Sequence, residues 1–267
     1  MSTCTNQSIL TLLKIQADRY PNKVFLFFKE QEVTYRQFFD RVEQVAFGLA
    51  RFKIAAGDKI AICLPNCPES LFAFFGVLRR GAITVPMEHY LTGDEIAERL
   101  KHSKSHVFIT TARLYASMQL KRKEIPQIEQ LFLVGERGGE GFVFSSLYIS
   151  GPKKFEMEIS PDQDFLSDAD AFVEAAQITE QDCLLYASPW LSSHRQIISI
   201  FASIIVGGSV ILLERFSPHV FLNAVQGHHA TAFFGGRNAD CGKKMKDLFE
   251  SEEAGQYNLS SLRFCIL

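Results

Sequence analysis

Apolar positions in the first half of the chain recur at helical spacing behind recognisable start signals. Thr34 is followed three residues later by Gln37, with Val33 before it and Phe38 after the cap. This is a capping box with a hydrophobic staple: two orphan amide donors are satisfied, and two apolar groups fix the angle at which the helix leaves the preceding strand. The pattern predicts a helix from Tyr35 to about Phe52, with Phe38, Phe39, Val42, Val45, Ala46 and Leu49 on its apolar face. Asn66 is expected to open a second helix, with Pro68 in the first turn, where its missing amide costs little, and Glu69 completing the signal. Thr92 and Glu95 repeat the box for a third helix, with Leu91 and Ile96 as the staple.

Short apolar runs separate these helices: Lys59 to Leu64, Ala82 to Val85, Val107 to Thr110 and Leu131 to Val134. Several are apolar at consecutive positions, as strands are when helices cover both sheet faces. The alternation predicts βαβ units and a mainly parallel sheet. Gly135 to Gly141 reads as a Gly- and charge-rich turn, and the polar stretch from Gly151 to Asp170, with Pro152 and Pro161, as a surface connection. Beyond it, Leu184 to Tyr186, Ser209 to Leu213, Ala230 to Phe234 and Leu262 to Leu267 predict strands. Ile197 to Val206 predicts a buried helix, and Ser217-Pro218 opens another that runs to about Gln226. The expected organisation is α/β, with mainly parallel β-sheet layers covered by helices: a first portion over 1–135, a polar connector over 136–170, and a second portion over 171–267.

Composition narrows the function classes. The 267 residues are 47% hydrophobic, enough for one large domain or two small ones. With 28 basic and 30 acidic residues the formal net charge is −2, so no positive field is available for a nucleic acid. The run Ile197 to Val206 is about half the length needed to span a bilayer. The N-terminus has no basic segment feeding an apolar one, so no transmembrane segment or secretory signal is expected, and a cytoplasmic location is.

Several groups of residues are candidates for chemistry. Cysteines at 4, 63, 67, 183, 241 and 265 include the pair Cys63 and Cys67, but no second Cys or His pair completes a zinc set, and reduced structural thiols are expected. His228 and His229 are adjacent and would diverge on a strand. The glycine run over 134–141 carries Glu136 and Glu140 and lacks a Lys-Ser/Thr ending, which disfavours a phosphate loop. Ser192, Ser193 and His194 are too close in sequence for a Ser–His pair, so Pro189 to His194 reads as a strand-to-helix connection that caps the next helix. The acids from Asp162 to Asp170 lack the glycine and terminal glutamate of a calcium loop. Lys243, Lys244 and Lys246 form a basic patch too short to indicate RNA or DNA. The 24 phenylalanines are assigned first to core packing, with an aromatic substrate groove as the second reading. No catalytic, cofactor-binding or metal-binding residue is assigned.

The order of these features resembles the N-terminal domain of acyl-CoA synthetases and their adenylate-forming (AMP-dependent) relatives. The stretches that carry the resemblance begin with Gln16 to Val24, Val33-Thr34-Tyr35 and Gly57 to Ile62. They continue with Leu64 to Glu69, Gly76 to Ala82, Val85-Pro86 and Leu91 to Glu95. In the second half the similar stretches are Ile178 to Asp182 with Leu184 and Pro189, Gly207 to Leu213, Phe216-Ser217-Pro218, and Asn258 to Arg263. Fatty-acid or carnitine-type CoA ligases are the nearest subclass.

The resemblance implies activation of a carboxylic acid with ATP and magnesium, followed by transfer to coenzyme A. It also implies a Ser-, Thr- and Gly-rich loop ending near Pro-Lys-Gly between the polar connector and Ala171. The sequence instead passes from Asp168-Ala169-Asp170 into what resembles the helix beyond that loop. Ser192 stands where the family commonly has histidine, and Arg237 where it has proline. The chain stops at Leu267, before the family's adenine- and ribose-contacting segments and its C-terminal lysine domain. The expectation is a truncated or degenerate ligase homologue needing no cofactor of its own. The alternatives are a non-catalytic scaffold that binds an acyl or carboxylate molecule, or one fragment completed by a complementary ligase chain.

Overall fold

The computed structural model describes residues 7–135, 141–151, 163–234, 245–251 and 254–266. The Gly-rich run over 136–140 and the connector over 152–162 lie outside the described residues. So do Cys4, Arg237, Cys241, Lys243, Lys244, Leu267 and the side chain of Ser192. The chain forms two compact units: unit 1 joins Met1–Gln37 to Asp162–Leu267, and unit 2 is Phe38–Pro161. These units interleave along the chain, whereas the portions expected from sequence were consecutive.

The chain begins with α1 (Ile9–Arg19), β1 (Val24–Phe28), β2 (Gln31–Thr34) and α2 (Tyr35–Arg51). Ser8 caps α1 by accepting the Thr11 N–H, although no helix or strand was predicted before Thr34. The box at the start of α2 is present as expected: Thr34 N–H donates to Gln37 Oε1 at 2.9 Å and Gln37 N–H to Thr34 Oγ1 at 3.3 Å.

Unit 2 continues with β3 (Lys59–Cys63), α3 (Pro68–Arg79), β4 (Ile83–Pro86), α4 (Gly93–Ser103), β5 (Val107–Thr111), α5 (Ala112–Ser117), β6 (Gln130–Val134) and β7 (Phe142–Val143). All its strand pairs are parallel, in the order β4-β3-β5-β6-β7. One face packs Ala61, Cys63, Phe108, Leu131 and Leu133 against Ile96 and Leu100 of α4. Thr92 and Glu95 make the predicted capping box there. The start of α3 differs from expectation: the cap is Cys67, with Pro68 directly following, while Asn66 is buried one position earlier. A Pro at the first helical position sets the boundary, and this outweighs the Asn–Glu spacing.

Helices α2 and α3 cross closely. Phe38 meets Phe72 and Phe75 at ring distances of 5.7 and 5.5 Å, and Arg79 Nε lies 2.5 Å from Glu43 Oε1. Gly76 makes the approach feasible, since a Cβ there would collide with the Val45 side chain.

Unit 1 resumes with α6 (Gln163–Ala176), β8 (Cys183–Tyr186), α7 (His194–Val206), β9 (Ser209–Leu212), α8 (Pro218–His228), β10 (Ala232–Phe234) and β11 (Phe264–Ile266). Its sheet order is β11-β10-β8-β9-β1-β2, parallel throughout except for the β1–β2 hairpin. Phe221, Leu222 and Val225 of α8 cover Leu185, Ile211 and Phe233 on one face. Helices α1 and α6 pack on α7.

One expectation is corrected here. The stretch from Gly151 to Asp170 is not connector throughout, because α6 begins at Gln163. Its acids obscured an apolar stripe at helical spacing: Leu166 and Ala169 are buried, and Phe165, Phe172 and Val173 are half-buried. His228 and His229 do not lie on a strand. His228 is the last residue of α8 and His229 its left-handed cap (φ 52°), while the His228 ring packs on Phe27 at 4.4 Å.

Long-range polar contacts close unit 1. Gln16 Nε2 donates to Ile205 O at 2.9 Å, Lys23 Nζ to Gly207 O at 2.6 Å and to Glu180 O, and Tyr35 Oη to Gly208 O at 2.6 Å. Gly207 supplies the left-handed turn (φ 79°) that ends α7. On the same edge, where β8 and β11 begin, Arg263 Nη1 donates to both carboxylate oxygens of Asp182 at 2.7 and 3.0 Å, and its Nη2 to Ala176 O at 2.9 Å. Burial pushes the Asp182 carboxyl up, but hydrogen bonds from Thr231, the Thr179 amide and Arg263 outweigh it and hold the group below its ordinary range.

Gly76→Ala is expected to destabilise the chain by about 2 kcal/mol through overpacking of α2 on α3, read by urea denaturation. Arg263→Met should cost about 2 kcal/mol at pH 7, since the acid is buried but the guanidinium is partly hydrated. The stabilisation from a depressed carboxylate exists above the unfolded value of about 3.9 and is lost as pH falls through the lower folded value. The gap between Arg263→Met and the parent chain should therefore narrow below about pH 4 in the same denaturation series.

Candidate functional site

Open parallel sheets hold ligands beyond the carboxyl ends of their strands. In unit 1 this edge lies where the chain leaves β8 at Tyr186, β9 at Leu212 and β10 at Phe234. From Tyr186 it passes through Ala187, Ser188 and Pro189 into a 3-10 turn over Trp190–Ser192, and then into α7. Ser193 is extended and its hydroxyl accepts the Gln196 N–H at 3.3 Å. The Pro189–His194 segment is thus the strand-to-helix connection and cap expected from sequence.

The groups behind this turn are bonded to one another. Gln196 is buried, and its Nε2 donates to Ser188 Oγ. Tyr186 Oη donates to Ser199 Oγ at 2.7 Å, and Ser199 Oγ in turn to Gln196 O at 2.9 Å. Complete burial pushes the Tyr186 phenol far above its ordinary range, so it acts as a neutral donor. Its ring stacks on Phe234 at 5.0 Å and 12°, and Phe172 of α6 meets Phe234 edge-on at 6.0 Å. The aromatic residues here pack on each other, in keeping with the core role given first to the phenylalanines.

At the mouth of the edge, His194 Nε2 lies 3.4 Å from Asp168 Oδ2, and Phe165 lies against the imidazole at 4.7 Å. Both side chains are about half exposed (51% and 54%), where an ion pair contributes little. Sequence reasoning missed this pairing because Asp168 was assigned to the connector.

In unit 2 the strand order reverses between β3 and β5, which makes their carboxyl ends a second place to inspect. Cys63, Leu64, Asn66, Cys67 and Thr110 are all buried there, and Cys63 Sγ donates weakly to Glu88 O at 3.8 Å. Glu88 pairs with Arg99 at 2.8 Å. Burial pushes the Cys63 and Cys183 thiols up to about 12 and Cys265 to about 11. The four described cysteines are free thiols. Neutral, buried thiols of this kind are structural and not nucleophilic. Among the described residues no three His, Cys, Asp or Glu side chains converge as a metal set, and no helix is long and apolar enough to cross a membrane.

A family model described as AMP-binding enzyme matches residues 13–145. The chain carries an AMP-binding, acyl-CoA synthetase-like domain. Among curated proteins, the long-chain-fatty-acid–CoA ligase of Bacillus subtilis is 22% identical over 98% of this chain and 55% of its own length. The crotonobetaine/carnitine–CoA ligase of Citrobacter koseri is 27% identical over 80% of this chain and 48% of its own length. The solved anthranilate CoA ligase AuaEII, in complex with anthranoyl-AMP, superposes with a TM-score of 0.86 at 21% identity over 98% of this chain and 55% of that one. This chain therefore spans about half the length of the curated relatives it matches.

In this acyl-CoA synthetase-like domain, the interval in which the resemblance places the end of the phosphate loop, up to Ala171, is occupied from Gln163 by α6. Phe165 of that helix packs on Phe201 of α7 at 6.0 Å. A helix uses its backbone amides along its own length and cannot present them as a polyphosphate cradle beyond its first turn. Residues 163–171, as part of α6, therefore offer no run of free backbone amides for a polyphosphate beyond the helix's first turn.

Tyr186→Phe is expected to cost about 1 kcal/mol, because it removes one buried hydrogen bond while Ser199 keeps its bond to Gln196 O. Thermal denaturation of the two proteins checks this. In the folded chain Cys63, Cys67 and Cys183 should resist iodoacetamide at pH 8, and all should react in guanidinium; mass spectrometry of the labelled peptides reads the difference.

Proposed function

We propose that this chain is the scaffold of an acid–CoA ligase-type domain that has lost its phosphate loop, and that by itself it does not adenylate a carboxylic acid. One observation carries the reading: the chain goes from the polar connector into α6, and nowhere between 135 and Ala171 supplies a Ser-, Thr- and Gly-rich loop ending near Pro-Lys-Gly. During adenylation, negative charge develops on the pyrophosphate leaving group. Donors aimed at that charge are commonly the largest single contribution to catalysis, and removing just one costs about 100- to 1000-fold in rate. Losing the whole loop removes several at once. Glu136 and Glu140 in the nearest Gly-rich run would repel a polyphosphate. ATP, magnesium and coenzyme A, which the complete family enzymes use, are accordingly not assigned to this chain alone.

A second reading is supported by the bonding of the scaffold itself. Both sheets are hydrogen-bonded strand to strand, and the buried polar groups behind β8 bond to one another. A chain that keeps this frame without the loop is suited to hold an acyl or carboxylate molecule, or to be completed by a separate polypeptide that brings the ATP-handling segments.

ATP–pyrophosphate exchange with a mixture of fatty acids tests the first reading. The expected result is background exchange; exchange that rises with added acid overturns it. Thermal denaturation with the same acids and with ATP–magnesium tests the second. A bound acid present at a hundred times its Kd should stabilise the chain by about 2.7 kcal/mol, with no shift for ATP–magnesium, whereas no shift with any acid rejects acid binding.

A further inference from the structure

We draw no further inference here: the strongest candidate, the half-exposed apolar edge strand Phe264–Ile266 at the end of the unit 1 sheet, carries nothing because no feature of the structure shows what covers it.

Discussion

The carboxyl end of α7 is the constraint on which unit 1 depends. From Ile197 to Val206 the helix is apolar at eight of ten positions and mostly buried, so its last carbonyls and those of the glycine turn are partly shielded from water. Unpaired, each would cost about 1–3 kcal/mol. The partners come from far away in sequence. Gln16, Lys23 and Tyr35 donate to Ile205, Gly207 and Gly208, and Ser209 Oγ donates back to Val24 O at 2.7 Å. These bonds bring the N-terminal segment onto α7 and set β1 beside β9 in parallel register.

The same economy of polar groups explains the character of the candidate site. Behind the β8–α7 turn, Tyr186, Ser199, Gln196 and Ser188 form one connected set of hydrogen bonds. A fully bonded buried network is rigid and specifies one arrangement of the core. It is thus a frame and not a reactive centre. Chemistry in such a fold has to come from loops laid over the frame, and the sequence before Ala171 has no Ser-, Thr- and Gly-rich run to form the expected one.

Much of the fold was legible in sequence because its signals are local. The boxes at Thr34 and Thr92, and the Ser217-Pro218 start of α8, depend on residues three or four apart. The inner strands β3, β5 and β6 of unit 2 show as short apolar runs because both of their faces are covered. Where two local signals competed, the stronger decided: Pro68 set the start of α3 and displaced the cap from Asn66 to Cys67. Helix α6 was hidden because its acids, following a polar stretch with Pro152 and Pro161, read as a solvated connector, although Leu166, Ala169 and Phe172 keep helical spacing. In the site, the Ser193 cap could be read from sequence, but the meeting of His194 with Asp168 could not, since it requires α6 to lie along α7.

The sequence alone determined the α/β class, the starts of α2 and α4, and the absence of the phosphate-loop residues before Ala171, since each is a property of neighbouring residues. Only the tertiary structure decided that residues 1–37 belong with 162–267, that Gly76 is where two helices touch, and that Asp182 is held by Arg263 from 81 positions away. The physical reason is common to all three. Buried carbonyls, a close helix crossing and a buried carboxylate each need a specific partner, and nothing local in the chain says which distant residue will supply it.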